Sequence, residues 1–321
     1  MAGKIQLYTI RDLLLAAEKR LRPKKIRCAT DADEGWLDAE VLMAFTLKKD
    51  RSWIIAHGTD CLSPYLESQF FKLVLRREQR EPIAYIIGHK DFYGRSFLVN
   101  PHVLIPRPET ELIIDECKRL YRPSDRFLFL DIGTGSGAIA VTVAKEFPRS
   151  QIIASDISPS AITVAKKNAA FHRVTNRVTF VQGDLLDKKI INTISKQPSK
   201  KSSPLIIAVN PPYLPDKNRT TLEPDVVAYE PDQALFSSKD GLDAIRRLFD
   251  QVSDRLNVLP DLLLCEFDTP QSKTIKQLAK NTFPTMNVRI IKDLAKRDRL
   301  LKISQQVNKC SCRQRENLLT C

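Results

Sequence analysis

Residues 126–147 read "RFLFLDIGTGSGAIAVTVAKEF". An apolar run from Phe127 to Leu130 stops at Asp131. Gly133, Gly135 and Gly137 follow at alternate positions, and small and β-branched residues resume at Ala138. The first run has strand length, and the second has the spacing of a buried helix. Glycine between them allows a tight turn and a close approach of backbone to a ligand. The stretch therefore reads as strand, loop and helix, the opening of a βαβ unit.

The same texture continues downstream. "QIIASD" (151–156), "VTFVQGD" (178–184), "PLIIAVN" (204–210) and "DLLLCEF" (261–267) read as strands, and "SPSAITVAKKNAAFH" (158–172) and "GLDAIRRLFDQVSDRL" (241–256) as helices. Alternation of this kind implies a mostly parallel sheet buried on both faces. Residues 187–204, ending in a Lys/Ser/Pro-rich patch, read as an exposed, mobile insertion. Upstream the texture changes. Residues 1–88 read as a helical bundle, with Leu37, Val41, Leu42 and Phe45 in one segment and Leu66, Phe70, Leu73 and Val74 in another at helical spacing. Residues 89–106 read as a β-hairpin-like linker around Gly94 and Asn100-Pro101. An α/β domain then spans 107–304, and 305–321 form a basic polar tail.

The chain has 321 residues, 43% hydrophobic and 28% charged, with a net charge of +13. That composition supports a large core and excludes a disordered chain. The positive balance favours acidic partners or surroundings rich in RNA. The N-terminus carries charges every few residues and does not read as a signal peptide. No stretch approaches the ~20 apolar residues that span a bilayer. Seven scattered cysteines read as reduced thiols, and Cys310, Cys312 and Cys321 lack the second pair of a metal site, so no metal is expected. His57, His89, His102 and His172 read as packing or surface residues.

The glycine loop and the strand ends after it carry the first chemistry. Ligands of doubly wound sheets bind at strand C-termini. Asp156 ends the next strand and follows Gly137 by the roughly 20 residues from which a carboxylate holds ribose hydroxyls. Asp184 ends the third strand. Asp131 just before the loop favours a ligand with a cationic end over a pyrophosphate, by simple attraction. The loop alone also fits a looser dinucleotide pattern, so a nicotinamide enzyme stays open at this point.

Four segments in this order, "DIGTGSGAIA", "SDISPSAITVAKKNA", "VQGDLL" and "NPPYLP", resemble class I S-adenosylmethionine-dependent methyltransferases acting on planar nitrogens. "REPIAYIIGHKDFYG" (80–94), "VLIPRPETE" (103–111) and "YEPDQALFSSKDGL" (229–242) resemble the HemK/PrmC family of release factor glutamine methyltransferases. The resemblance runs from about Trp36 to Ile303. It implies a Rossmann-like catalytic domain behind an N-terminal helical domain that recognises substrate. The implied reaction moves a methyl group from S-adenosylmethionine to the glutamine nitrogen of the Gly-Gly-Gln motif in peptide chain release factors. The reduced thiols and the lack of a spanning stretch lead us to expect a cytoplasmic protein with no membrane partner; a monomer is expected, and the absence of a recognisable nucleic-acid module argues against direct nucleic-acid binding.

By position, Gly133, Thr134, Gly135, Ser136 and Gly137 then contact the donor, Asp156 its ribose, and Asp184 and Leu185 its adenine. Asn210, Pro211, Pro212 and Tyr213 form the catalytic and glutamine-binding motif, with Asn210 also beside the donor. An amide nitrogen is a poor nucleophile, so its lone pair must be aimed. The Asn210 side-chain oxygen and the Pro211 carbonyl supply two acceptors for the substrate –NH2. The prolines fix their geometry in advance. Tyr213 is expected to pack on the flat amide. Arg107 and Glu109 are expected to be structural or near the donor, and Glu230 to order the loop after the motif.

The sequence departs from the family near its end. The turn "LNVLPD" lacks glycine, and Asp268 and Lys296 stand where glycine is usual, which implies altered turns. Adenine-N6 methylation of nucleic acid, supported by the charge and by Lys196, Lys200 and Lys201, is one rival. Glutamine methylation of a ribosomal protein is another. A nicotinamide oxidoreductase leaves the Asn-Pro-Pro-Tyr segment unexplained, and a non-catalytic binding module leaves the intact loop unexplained.

Overall fold

Three helix starts in the N-terminal region are set by side-chain caps. Helix α1 (Ile10–Leu21) opens on a reciprocal capping box between Thr9 and Asp12. Helix α2 (Asp31–Leu47) follows, then α3 (Arg51–Ala56) capped by Asp50, and α4 (Pro64–Glu78) capped by Ser63 with proline in its first turn. Helix α5 (Ile83–Ile87) ends at Gly88, whose φ of +78° is the left-handed conformation favoured at a helix end. The computed structural model describes residues 7–22, 31–197 and 203–305. Cys28, Lys200, Lys201 and the tail cysteines Cys310, Cys312 and Cys321 lie outside the described residues.

These helices belong to one of two compact units, Met1–His89 together with Glu223–Tyr229. Its core is built on Ile10, Leu14, Leu42, Met43, Ile54, Phe70 and Val74. The buried stripe of α2 is rotated from the one expected. Ala39, Leu42 and Met43 are buried, whereas Leu37 and Phe45 are exposed. The cause is Gly35, where a Cβ would stand 3.2 Å from the Arg22 backbone nitrogen. The small residues Gly35 and Ala39 thus bring α1 and α2 close and choose the face. Glu223–Tyr229 is tied into the same unit. Arg77 bridges Asp38 at 2.7 Å and Asp225 at 3.2 Å, and the Tyr229 hydroxyl donates to the Gln79 carbonyl at 2.8 Å.

The second unit comprises Lys90–Leu222 and Glu230–Cys321. A two-stranded hairpin leads into it, β1 (His89–Phe92) and β2 (Arg95–Leu98). After a single 3-10 turn at Pro108–Thr110, the chain alternates through α6 (Glu111–Leu120), β3 (Leu128–Ile132), α7 (Ala138–Glu146), β4 (Gln151–Asp156), α8 (Pro159–Phe171), β5 (Val178–Gln182), α9 (Lys188–Lys196) and β6 (Leu205–Val209). It continues through α10 (Pro224–Tyr229, in the first unit), α11 (Asp232–Leu235), α12 (Asp243–Arg255), β7 (Leu262–Glu266), α13 (Ser272–Thr282), β8 (Asn287–Lys292) and β9 (Asp298–Ser304).

The main sheet has the order β5-β4-β3-β6-β7-β9-β8. Strands β3 to β7 pair in parallel, and β9 runs antiparallel to both β7 and β8. Both faces are buried. Phe129, Ile152, Ile206 and Leu262 pack on one side with α6 and α7, and their neighbours Leu130, Ile153, Ile207 and Leu263 pack on the other with α12 and α13. This accounts for strands that are apolar throughout rather than alternating. The order reverses between β3 and β6, which opens a crevice at their C-terminal ends.

Two further features differ from the sequence reading. Residues 188–196 are not an open insertion but a helix. Asp187 caps it, and its Ile190 is fully buried with Ile191 and Ile194 packed beside it. The lysines and polar residues between these isoleucines mask a helical stripe. Strands β8 and β9 were not anticipated. Lys302 interrupts the apolar run of β9, yet it is buried and donates to Glu116 at 3.0 Å. Among the described residues, no helix is long and apolar enough to cross a membrane, and no group of His, Cys, Asp and Glu could hold a metal ion.

Candidate active site

The crevice begins where register puts two loops side by side. Ile132 pairs with Val209, so Gly133 and Asn210 leave adjacent strands at the same level. A Cβ on Gly133 would lie 3.9 Å from the Asn210 carbonyl oxygen. Gly133 and Gly135 have φ of +71° and +54°, and a Cβ on Gly135 would meet nothing within 4 Å. The loop is therefore open on the side where glycine leaves room. Gly137 has a different task. Its φ is +81°, and a Cβ there would stand 3.1 Å from the Ala165 Cβ, so the missing side chain lets α7 pack against α8.

Below the loop, Asp131 is fully buried. Its Oδ2 accepts the Thr134 hydroxyl at 2.6 Å and the Ala140 N–H at 3.1 Å, while its Oδ1 is buried without a partner. Burial pushes this carboxyl up to about 7, against the pull of those two hydrogen bonds. Asp131 is not among the residues that line the crevice and braces the loop from behind through Thr134 and Ala140.

Asp156 stands at the end of β4 and faces the same space. One carboxylate oxygen accepts the Gly135 N–H and the other the Ser158 N–H, each at 2.9 Å. A carboxylate offers about four acceptor positions, so about two remain. Burial raises its pKa, and the backbone hydrogen bonds oppose that. Farther along, Leu185 adopts φ of +53°, and Asp184 forms an ion pair with Arg247 from α12.

These residues enclose a cavity of about 350 Å³, within the ~300–1,000 Å³ range of small-molecule sites. Gly133, Thr134, Gly135, Ser136, Asp156, Asp184, Leu185, Asn210, Pro211 and Pro212 all line it. Gly137 and Tyr213 do not. Ile157, Ile139 and Leu104 add apolar walls, and His102, expected to have only a packing or surface role, stands at the wall. Arg107 lines it too. Its guanidinium bonds Glu230 at 2.5 Å, and Glu230 also accepts the Ile105 N–H at 3.1 Å. Glu230 thus holds the Val-Leu-Ile-Pro-Arg segment.

A buried polar cluster supports the Asn-Pro-Pro-Tyr segment. Glu266, at the end of β7, is 1% exposed. Its Oε2 accepts the Thr110 hydroxyl at 2.7 Å and its Oε1 the Tyr213 hydroxyl at 3.2 Å. The Asn210 Nδ2 donates to the Thr110 hydroxyl oxygen at 3.2 Å. Burial raises the Glu266 pKa, opposed first by the Thr110 hydrogen bond and by the Arg299 charge. Gln271 donates to the carbonyls of Tyr213 at 2.8 Å and Asp240 at 3.0 Å. Gly241 passes so close that a Cβ would overlap the Tyr213 carbonyl oxygen.

Thr110, Glu266, Gln271 and Gly241 were not singled out from the sequence. Thr110 and Gly241 lie inside motifs quoted for their resemblance, but Thr110 and Glu266 are 156 positions apart, and no local pattern joins them.

Comparison with known proteins gives the family. A PrmC N-terminal domain family model matches residues 12–88, and a methyltransferase domain model matches residues 123–198. A release factor glutamine methyltransferase of Koribacter versatilis is 40% identical over 71% of this chain and 78% of its own length. One from Moorella thermoacetica is 34% identical over 91% of this chain and 96% of its own. The chain belongs to the release factor glutamine methyltransferase family. The hMettl16 catalytic domain has the same fold, with a TM-score of 0.53 at 13% identity over 83% of this chain and 92% of that one. Membership in the family makes the chain an enzyme, a methyltransferase.

Proposed function

We propose that this enzyme transfers a methyl group from S-adenosylmethionine to the side-chain amide nitrogen of the glutamine in the Gly-Gly-Gln motif of peptide chain release factors. The observation that carries the reading is one shared cavity. The glycine loop, Asp156 and Asn210-Pro211 all line it, in a chain whose relatives of matching length bear that name. Those names favour glutamine over adenine or a ribosomal protein as the target.

The residues present fit an adenosine-bearing methyl donor. Asp156 keeps two acceptor positions for a pair of ribose hydroxyls. Leu185 and Ile157 offer apolar flanks for a base, with Asp184 at its edge. Gly133 to Ser136 present backbone beside the open side of Gly135, where the methionine portion would lie. When bound, S-adenosylmethionine supplies a methyl carbon on a positively charged sulfur that departs as a neutral thioether.

The protein's part is to aim the nucleophile. The Asn210 Oδ1 and the Pro211 carbonyl accept the two N–H groups of the substrate amide, which fixes the direction of its lone pair. The nitrogen becomes acidic once methylated and loses its proton to water, so no strong base is needed. Tyr213 serves by tying the segment to Glu266. The helical unit supplies the larger surface a single glutamine lacks, and it exposes Leu37, Phe45, Ile55, Tyr65 and Leu75.

The test is transfer of isotope-labelled methyl from S-adenosylmethionine to purified release factor. Label should enter the natural factor and not one whose Gly-Gly-Gln glutamine is replaced by alanine. Equal labelling of both would overturn the assignment.

A further inference from the structure

We infer that Thr110 and Glu266 decide which face of the Asn210 amide meets the substrate, and are positioning residues for methyl transfer. The inference rests on the glutamine-methylating reading and adds a device that sets its geometry. Asn210 has two nearly isosteric ends, an acceptor oxygen and a donor –NH2. Only the oxygen can receive a substrate N–H. Something must therefore prevent a flip of the amide, and the motif itself contains nothing that does.

Counting protons supplies the answer. Ionised Glu266 can only accept, and it accepts from Thr110 at 2.7 Å and from Tyr213 at 3.2 Å. The Thr110 hydroxyl has one hydrogen, and that hydrogen is committed to Glu266. Toward Asn210 the hydroxyl can then only accept. It receives the Nδ2 group at 3.2 Å, which leaves Oδ1 for the cavity that Asn210 lines. A neutral Glu266 loosens this. Its carboxyl could donate to Thr110, whose hydroxyl would then donate to the Asn210 oxygen and turn the –NH2 toward the substrate. That arrangement sets donors against donors.

Burial disfavours the ionised form of Glu266 that the relay needs, and the hydrogen bonds from Thr110 and Tyr213 oppose that effect. Thr110, at the cavity wall, and Glu266 are 5% and 1% exposed, so the bond between them is shielded from bulk water. The charged groups near Glu266 are Arg299, which favours its ionised form, and Glu109, which opposes it. Asp268 acts on the neighbouring Tyr213 hydroxyl. Burial moves the Glu266 titration above the ordinary carboxylate range. With S-adenosylmethionine kept saturating at each pH, the transfer rate should therefore fall as pH drops through that raised value.

The experiment is single-turnover methylation of a purified release factor at saturating S-adenosylmethionine, beside calorimetric affinity for S-adenosylmethionine. Thr110→Val removes the hydroxyl and keeps the shape. It should slow transfer about tenfold, the upper end of one hydrogen bond's net effect, with cofactor affinity within about twofold. Thr110→Ser restores the hydroxyl and should recover most of the rate. Glu266→Gln should be slow and should lose the acid limb of the wild-type pH profile. Transfer by Thr110→Val at the wild-type rate, or equal slowing by Val and Ser, would overturn the relay. So would an acid limb unchanged in Glu266→Gln. A wild-type enzyme that binds S-adenosylmethionine but leaves the glutamine unmodified would instead defeat the functional reading.

Discussion

Replacing Asp156 by alanine removes a side chain that both shapes the glycine loop and keeps free acceptors toward the cavity. Its two oxygens each hold one backbone N–H at 2.9 Å, from Gly135 and Ser158. The remaining two acceptor positions match a pair of ribose hydroxyls. Bonds to a charged acceptor are worth about 1.5–3 kcal/mol each, so two give about 3–6 kcal/mol. Water entering the vacated space recovers part of this. The expected loss is about 3 kcal/mol, roughly a hundredfold weaker Kd for S-adenosylmethionine. Asparagine should do no better than alanine. Its –NH2 must face one of the two backbone donors, and donor then opposes donor. Affinity should also decline as pH falls through the raised pKa of Asp156, because the ionised form accepts the hydroxyls. Isothermal calorimetry on folded variants is the assay. A Kd for Asp156→Ala within about threefold of wild type would remove Asp156 from the site and with it the assigned donor orientation.

Asn210→Ala should leave cofactor affinity nearly unchanged and slow transfer by roughly 10²–10³-fold, as for other preorganised hydrogen-bonding groups at a reacting centre, measured in single turnovers. Gly241→Ala places a methyl on the Tyr213 carbonyl at a residue of φ +77°, so thermal melting should drop and turnover should fall with it. Lys296→Gly should raise stability by about 0.5–1 kcal/mol, because Lys296 holds φ of +62°, a strain glycine does not feel; the urea midpoint reports it. Asp131 has a folded-state pKa near about 7, above its unfolded value, so it favours folding below the carboxylate range and loses that contribution as pH rises toward about 7. Asp131→Asn should flatten stability across that window, as followed by denaturant titrations at several pH values.

Strands β3 to β7 were legible because a strand buried on both faces must be apolar along its whole length. The positions of Asp156 and Asn210 followed, since strand ends in such a sheet face one crevice. The C-terminal hairpin was hidden because Lys302 is satisfied by Glu116 from a helix 186 positions away. The lost glycines resolve in two ways. Asp268 sits at φ of −80° and caps the following turn, so glycine is not required there. Lys296 keeps the left-handed turn at a cost in strain. In the site, most of the residues expected from the sequence line the cavity, Gly137 and Tyr213 excepted, whereas Thr110, Glu266 and Gln271 were not readable. Their partners come from distant segments, and a buried carboxylate at a strand end carries no local signature.

The central claim is transfer to one glutamine nitrogen. Its most direct test is mass spectrometry of the Gly-Gly-Gln peptide from a release factor incubated with this enzyme and S-adenosylmethionine. One methyl group on the glutamine side chain is expected, with none when Asn210→Ala is substituted for the wild-type enzyme over the same short interval. Methyl found on another residue, or on ribosomal protein or nucleic acid with the glutamine unmodified, would contradict the account.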